Sequence, residues 1–149
     1  MIKILFVCHG NICRSPMAEF ILKDMIKKQN LSHKYEIHSA ATSCEELGNP
    51  VYPPAKKILA RNGISCEGKR ARRITTSDFK YFDYIIGMDR YNLKNIERIM
   101  PEGSTCKTGL LMDFTDTPGD VADPWYTDDF EKTFRDILKG CISFLEFLI

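Results

Sequence analysis

The chain has one tryptophan, three histidines and almost no net charge, 21 Lys and Arg against 20 Asp and Glu in 149 residues. So even a balance argues against a protein that coats a polyanion, and no nucleic-acid partner is expected. Nothing approaches the roughly 20 apolar residues of a membrane span. The C-terminal CISFLEFLI is broken by Glu146 and preceded by Lys139-Gly140. The N-terminal MIKILFVC has one lysine and then five apolar residues, short of the roughly 7–15 of a signal-peptide core, with no small-residue cleavage site. A cytoplasmic protein without a membrane partner is expected.

The six cysteines form no Cys-x-x-Cys pair, and His9, His33 and His38 show no ligand spacing. No metal and no cofactor is expected, and the expected compartment disfavours a disulfide framework. There is no internal repeat, low-complexity tract or Gly/Ser-rich linker. Residues 1–149 are therefore read as one domain, long enough for a real core and short for two. Nothing calls for a second copy of the chain, and a monomer is the expectation. The run Lys69-Arg70-Ala71-Arg72-Arg73 reads as a solvated loop.

Apolar periodicity supplies the elements. Ile4 to Val7 is a continuous β-prone run, as in a strand covered on both faces. Ser15-Pro16 reads as an N-cap followed by proline at the first helical position. Met17, Phe20, Ile21 and Met25 then follow at helical spacing, with Glu19–Lys23 and Asp24–Lys28 on the wet side. Tyr35 to Ala40 is a second strand, residues 49–54 a turn-rich loop, and Ala55 to Arg61 a helix ended by Asn62-Gly63. Ser77 to Phe82 is a short helix and Tyr84 to Met88 a third strand. Asp89 caps a helix stopped by Pro101. Residues 106–112 make a fourth strand, residues 113–124 an acidic loop, and Thr127 opens the last helix. Strands alternating with helices imply a parallel α/β sheet with helices on both faces in three layers. Ligands of such sheets sit beyond the carboxyl ends of the strands. Residues 8–15 leave the first strand and 113–124 leave the last, so one rim can hold both.

The segment VCHGNICRSP, residues 7–16, carries the chemistry. Cys-x5-Arg alone is weak: six cysteines and eight arginines give roughly 0.3 matches by chance, and Cys66 to Arg72 is a second match. Context separates them. Only the first joins a buried strand to a capped helix, where Gly10 and Asn11 let backbone N–H groups converge beside a helix N-terminus and form a phosphate-binding loop. Arg14 adds a planar fork that matches two phosphoryl oxygens. The same field lowers the pKa of a thiol, to roughly 3.5–7.5 in such settings, and the Ser15 hydroxyl is close enough to donate to it. Cys8 is expected to be a thiolate facing a bound phosphate. A small buried thiol at a strand end is the competing possibility, but it would have no use for Gly10, Asn11, Arg14 and Ser15.

VCHGNICRSPMAE resembles the signature of the low-molecular-weight protein tyrosine phosphatases, including its place near the N-terminus. The similarity extends through HSAATS (38–43), ITTSDFKYFDYIIGMD (74–89) and ADPWY (122–126). It implies a phosphotyrosine-containing protein as substrate, Cys8 as nucleophile forming a phosphocysteine, and Arg14 as binder of phosphate and transition state. Asn11 and Ser39 would brace the loop, and Ser15 would steady the thiolate. Asp123 would be the general acid and base, since a phenolate leaves more easily when protonated. Asp113, Asp116 and Asp120 compete for that role on sequence grounds. Trp125 and Tyr126 would flank the substrate ring unless one of them is core. Cys13, within the loop together with Ile12, resembles the family's second cysteine, which can pair with an oxidised Cys8.

Two positions depart from the family pattern. His9 stands where an apolar residue is usual, and Cys44-Glu45-Glu46 replaces an aromatic wall. Glu45 and His9 are expected to make the pocket rim polar, and a rim histidine can bend the pH profile. Three alternatives carry different chemistry. A thioredoxin-coupled arsenate reductase needs a closely spaced cysteine relay, which Cys66, Cys106 and Cys141 do not offer. A protein-arginine phosphatase tends to carry Thr where Ile12 stands. A phosphocysteine carrier needs neither Arg14 nor an acid.

Overall fold

The computed structural model describes residues 1–149. Four strands, β1 (Ile2–Cys8), β2 (Tyr35–Ala41), β3 (Tyr84–Gly87) and β4 (Lys107–Leu110), form one sheet in the order β2-β1-β3-β4. Every pairing is parallel, with Phe6 opposite Ser39 and Val7 opposite Gly87. The α-helices are α1 (Arg14–Lys28), α2 (Pro53–Arg61), α3 (Asp78–Tyr81), α4 (Arg90–Ile99), α5 (Pro124–Thr127) and α6 (Phe130–Leu148).

Alternation along β1 builds the three layers. Ile4, Phe6 and Cys8 face the larger core, which takes Met17, Ile21 and Leu22 from α1, Ala55, Ile58 and Leu59 from α2, and Ile137, Cys141 and Phe144 from α6. Leu5 and Val7 face the other way, onto Phe79, Phe82 and Ile96 from the α3 and α4 side. Both faces are covered, so Ile4 to Val7 are all completely buried. Each such side chain contributes roughly 1.5–3 kcal/mol. Phe6 meets Phe144 edge-on at 6.1 Å between ring centres, tying β1 to α6.

Several element boundaries differ from the sequence reading, including α2, which starts at Pro53 instead of Ala55. Cys13, not Ser15, precedes α1 and makes no side-chain cap; the Ser15 hydroxyl is committed elsewhere. Pro16 still fits, because the first helical turn needs no N–H from it. Thr127 ends the short α5 instead of opening the last helix, and α6 begins at Phe130 with Asp129 accepting from the Lys132 N–H. The fourth strand ends at Leu110, and Leu111–Phe114 turns as a 3-10 helix that docks on α6. Asp89 does cap α4, in a reciprocal box with Asn92. No helix is long and apolar enough to cross a membrane.

The chain leaves β1 toward β2 on one side and returns to β3 on the other, so the winding reverses at β1. The crevice beyond Cys8 and Gly87 is where such a sheet places its ligand.

Candidate active site

The loop from Cys8 to Arg14 wraps around the Cys8 sulfur. The backbone N–H groups of Asn11 and Ser15 point at Sγ from 3.3 and 3.4 Å, and Ser15 Oγ lies 3.0 Å away. Asn11, not Gly10, adopts the left-handed conformation that makes this turn, with φ of 60°. Asparagine tolerates that region, and here its side chain secures it. Oδ1 accepts from the Arg72 N–H, while Nδ2 donates to Ser15 Oγ at 2.8 Å and Ser39 Oγ at 3.0 Å. Outside the loop, the Ile12 carbonyl accepts from Tyr52 N, and the Cys8 and His9 carbonyls accept from Thr42 N and Ser43 N.

Arg14 is only 2% exposed. Its Nη1 donates to Asp89 Oδ2 at 2.6 Å and to the Val121 carbonyl at 3.0 Å; Nη2 reaches Asp123 Oδ2 at 3.4 Å. Burial alone would push its pKa down, but the nearby Cys8 sulfur and the Asp89 carboxylate outweigh that and hold it above the ordinary arginine value. Neighbouring negative charges act on Cys13 as well. Burial, then the Cys8 and Asp123 charges, push its thiol up to about 12. Cys13 is thus held as a neutral thiol at neutral pH.

A cleft of about 350 Å³ opens above the loop. Asp123 stands at its edge at the start of α5, with Oδ1 occupied by the Trp125 N–H at 3.0 Å. Its segment is pinned by Val121 N to the Met88 carbonyl and by Thr133 Oγ1 to the Ala122 carbonyl. The competing acids are used elsewhere: Asp120 accepts from Arg90 N, Asp113 from Gly119 N, and Asp116 pairs with Lys139. Trp125 and Tyr126 line the cleft and are exposed, so neither is core. His9, Glu45 and Glu46 line the same cleft, with His9 Nε2 3.0 Å from Glu45 Oε2 and both of those side chains open to solvent. The structure therefore brings together Cys8 to Ser15, Ser39, Glu45, Asp123, Trp125 and Tyr126. Nowhere do three His, Cys, Asp or Glu side chains converge as a cation site requires.

Several contributors escaped the sequence reading. Asp89 caps α4 as its sequence position predicts, and its second carboxylate oxygen also orients Arg14. Glu19, assigned to the wet side, is 3% exposed and accepts from Ser39 Oγ. The basic run is no solvated loop: Lys69 Nζ donates to the Ser39 carbonyl, and Arg72 forks onto Asp78. Tyr52, in the loop the sequence reads as a turn, stacks on Phe130 at 6.0 Å between ring centres and meets the tilted Trp125 ring at 5.1 Å. Nothing in the local spacing signals Glu19's burial, since it stands two residues from Met17 and Ile21, toward the other side of a helix.

The model of the family "Low molecular weight phosphotyrosine protein phosphatase" matches residues 3–148. The low molecular weight protein-tyrosine-phosphatase YfkJ of Bacillus subtilis is 40% identical over 147 residues, covering 97% of this chain and 94% of that protein. The crystal structure of YfkJ from Bacillus subtilis aligns with a TM-score of 0.95 at 39% identity, over 99% of this chain and 94% of the other. The crystal structure of DARP, a Drosophila arginine phosphatase, aligns with a TM-score of 0.91 at 32% identity, over 99% and 98%. A match this complete, in sequence and in structure, makes the chain a member of the low molecular weight phosphotyrosine protein phosphatase family.

Proposed function

We propose that the protein hydrolyses phosphotyrosine in protein substrates, without a metal, through a phosphocysteine on Cys8. The observation that carries this is the Cys8 sulfur itself: two backbone N–H groups and a hydroxyl converge on it, with a guanidinium beside it. Donors in that number favour a thiolate. With the substrate phosphoryl group held by the loop and the Arg14 fork, Cys8 Sγ attacks phosphorus. The bond to the aryl oxygen breaks, and Asp123 gives its proton to that oxygen. The resulting carboxylate then takes a proton from water as the water attacks phosphorus, the S–P bond breaks, and the thiolate returns. Trp125, backed by Tyr52, and the neighbouring Tyr126 offer faces to the flat ring.

Cys13 belongs to the same proposal as a protecting thiol. Peroxide takes the Cys8 thiolate to the sulfenic acid, and the Cys13 thiol displaces water to give a disulfide that added thiol reverses. Peptide mapping after mild peroxide should find that link and recover activity with dithiothreitol. Cys8 oxidised irreversibly with Cys13 free would reject it.

The arginine phosphatase among the structural relatives makes phosphoarginine the necessary comparison. Ile12, buried against Cys13 and Ala71, gives no hydroxyl to a guanidinium. An arsenate-reductase relay has no support either, since Cys141 lies fully buried and bonds the Ala18 carbonyl. The test is a rate comparison on phosphotyrosine, phosphoserine and phosphoarginine peptides without added metal. Phosphotyrosine should turn over fastest; faster turnover of phosphoarginine or phosphoserine overturns the proposal.

A further inference from the structure

Beside the cleft above Cys8 lies a second cavity, of about 400 Å³, that no catalytic step uses. The two share a wall, since His9, Arg14, Asp123 and Tyr126 border both. Beyond that wall the second cavity is lined by Tyr91 from α4 and by Asp120 from the segment that leads into α5. A peptide whose phosphotyrosine sits over Cys8 carries its neighbouring residues out over the rim. On the side of His9 and Tyr126, that rim leads into this cavity.

The cavity is already built. Arg90 N donates to Asp120 Oδ1 at 3.0 Å, Val121 N to the Met88 carbonyl at 2.8 Å, and Thr133 Oγ1 to the Ala122 carbonyl at 3.1 Å. These bonds hold the start of α4 against the segment from Asp120 to Asp123, so a ligand pays little to order them. Two aromatic side chains are left in water here: Tyr91 is 79% exposed and Tyr126 84%. Neither contributes to the core.

Charge selects the occupant. Three carboxylates line the cavity, Asp89, Asp120 and Asp123, against one guanidinium, Arg14, whose Nη1 is already shared between Asp89 and the Val121 carbonyl. Asp120 is the carboxylate that Arg14 does not reach. Its Oδ2 has Arg90 Nε at 3.5 Å, on a side chain 84% exposed. That contact is long for a hydrogen bond and weak in water. Arg90 thus shows what Asp120 attracts without satisfying it. A tyrosine face attracts the same kind of ligand, a cation.

We propose that this cavity is a substrate subsite for an arginine or lysine side chain close in sequence to the phosphotyrosine, with Asp120 and Tyr91 as specificity-determining residues. The inference rests on the phosphotyrosine reading above. The dianion and the basic residue are then held on opposite sides of one wall, the first by the loop from Cys8 to Arg14, the second by Asp120 and Tyr91.

The experiment measures kcat and KM on phosphotyrosine peptides in which one position, from three before to three after the phosphotyrosine, is Arg, Ala or Glu. Phenyl phosphate, which has no flanking residue, is the control. At its best position Arg should lower KM about tenfold relative to Ala in the wild type, with kcat little changed; an exposed ion pair and a cation–π contact are each worth a factor of about three. Asp120→Asn keeps an acceptor for the Arg90 N–H and removes the charge. It and Tyr91→Ala should each lose about threefold of the advantage and leave phenyl phosphate turnover unchanged. Arg90→Ala removes the competing cation and should enlarge the advantage. Equal KM for Arg, Ala and Glu peptides at every position overturns the proposal. So does an advantage that survives intact when Asp120→Asn and Tyr91→Ala are combined, which places the selection at Glu45 and Glu46 instead. Circular dichroism checks each variant; should Asp120→Asn or Tyr91→Ala fail to fold, Arg90→Ala decides, by enlarging the advantage or not. Wild-type protein that leaves phenyl phosphate and every phosphotyrosine peptide intact removes the phosphatase reading, and this inference with it.

Discussion

Asp89 holds Arg14 by one oxygen and the start of α4 by the other. Oδ2 accepts from Arg14 Nη1 at 2.6 Å, and Oδ1 accepts from the Asn92 N–H at 2.8 Å. A single side chain thus joins the carboxyl end of β3 to the guanidinium beside Cys8. Nη1 is committed to Asp89 and Val121, leaving Nε and Nη2, the latter with one long contact to Asp123, as the edge of the fork that can meet two phosphoryl oxygens.

Substituting Asp89 should separate these two duties. Asp89→Ala leaves a buried guanidinium short of a counter-charge and strips the helix cap, a loss of about 3 kcal/mol in urea denaturation. Asp89→Asn keeps an acceptor for the cap but no charge for Arg14. Its stability should fall less, while KM for an aryl phosphate rises about tenfold. Equal KM in Asp89→Asn and wild type would contradict the orienting role.

Asp123 has one oxygen spent on capping and one facing the cleft. Asp123→Asn preserves the cap and removes the proton, so kcat should fall by roughly 10²–10⁴ on phenyl phosphate. Inhibition by inorganic phosphate should change little. The loss should shrink for leaving groups that depart readily without a proton. A loss independent of leaving-group acidity would contradict the acid role of Asp123.

Two buried thiols, Cys13 and Cys141, and the partly buried Cys106 set an alkaline limit on the fold. Burial pushes Cys13 up to about 12 and Cys106 up to about 11, and raises Cys141 furthest. The native fold holds these protons where the unfolded chain, with thiols near the ordinary 9.0, releases them. Their stabilising effect is therefore complete below about pH 9 and is lost as the pH rises from 9 toward 12. Urea midpoints should decline over that range, and less steeply in Cys106→Ser. A midpoint flat to pH 11 would contradict this.

Gly140 lets α6 settle onto the turn after β4. A Cβ there would sit 2.6 Å from Leu111 Cγ, and Leu111 is completely buried and cannot withdraw. Alanine normally favours a helix by about 1 kcal/mol over glycine, yet overpacking costs about 1–3 kcal/mol. Gly140→Ala should lower the melting temperature, and much of that loss should be absent when Leu111→Ala is already present. A higher melting temperature for Gly140→Ala alone would contradict the close approach.

The legible parts of this protein were those that sequence neighbours decide. Ile4 to Val7 announce a strand buried on both faces, and Cys8, Asn11, Arg14 and Ser15 lie within one loop whose residue types have one shared use. Positions whose partner is distant in sequence were not legible. Glu19 looked like half of a surface pair with Lys23 because Ser39 and Lys69, its other partners, come from β2 and a later loop. Arg72 looked solvated because its N–H partner, Asn11, lies 61 residues earlier. Ser15 looked like a cap because a serine before proline commonly is one; the sulfur of Cys8 competes for the same hydroxyl and wins it.

The central claim is that the Cys8 sulfur receives the phosphoryl group. Rapid acid quench of the enzyme turning over an aryl phosphate, followed by peptide mass spectrometry, tests it most directly. The expected result is one phosphoryl group on the peptide carrying Cys8, absent from an inactive Cys8→Ala protein. Continued turnover by Cys8→Ala, or a phosphoryl group on some other side chain, would contradict it.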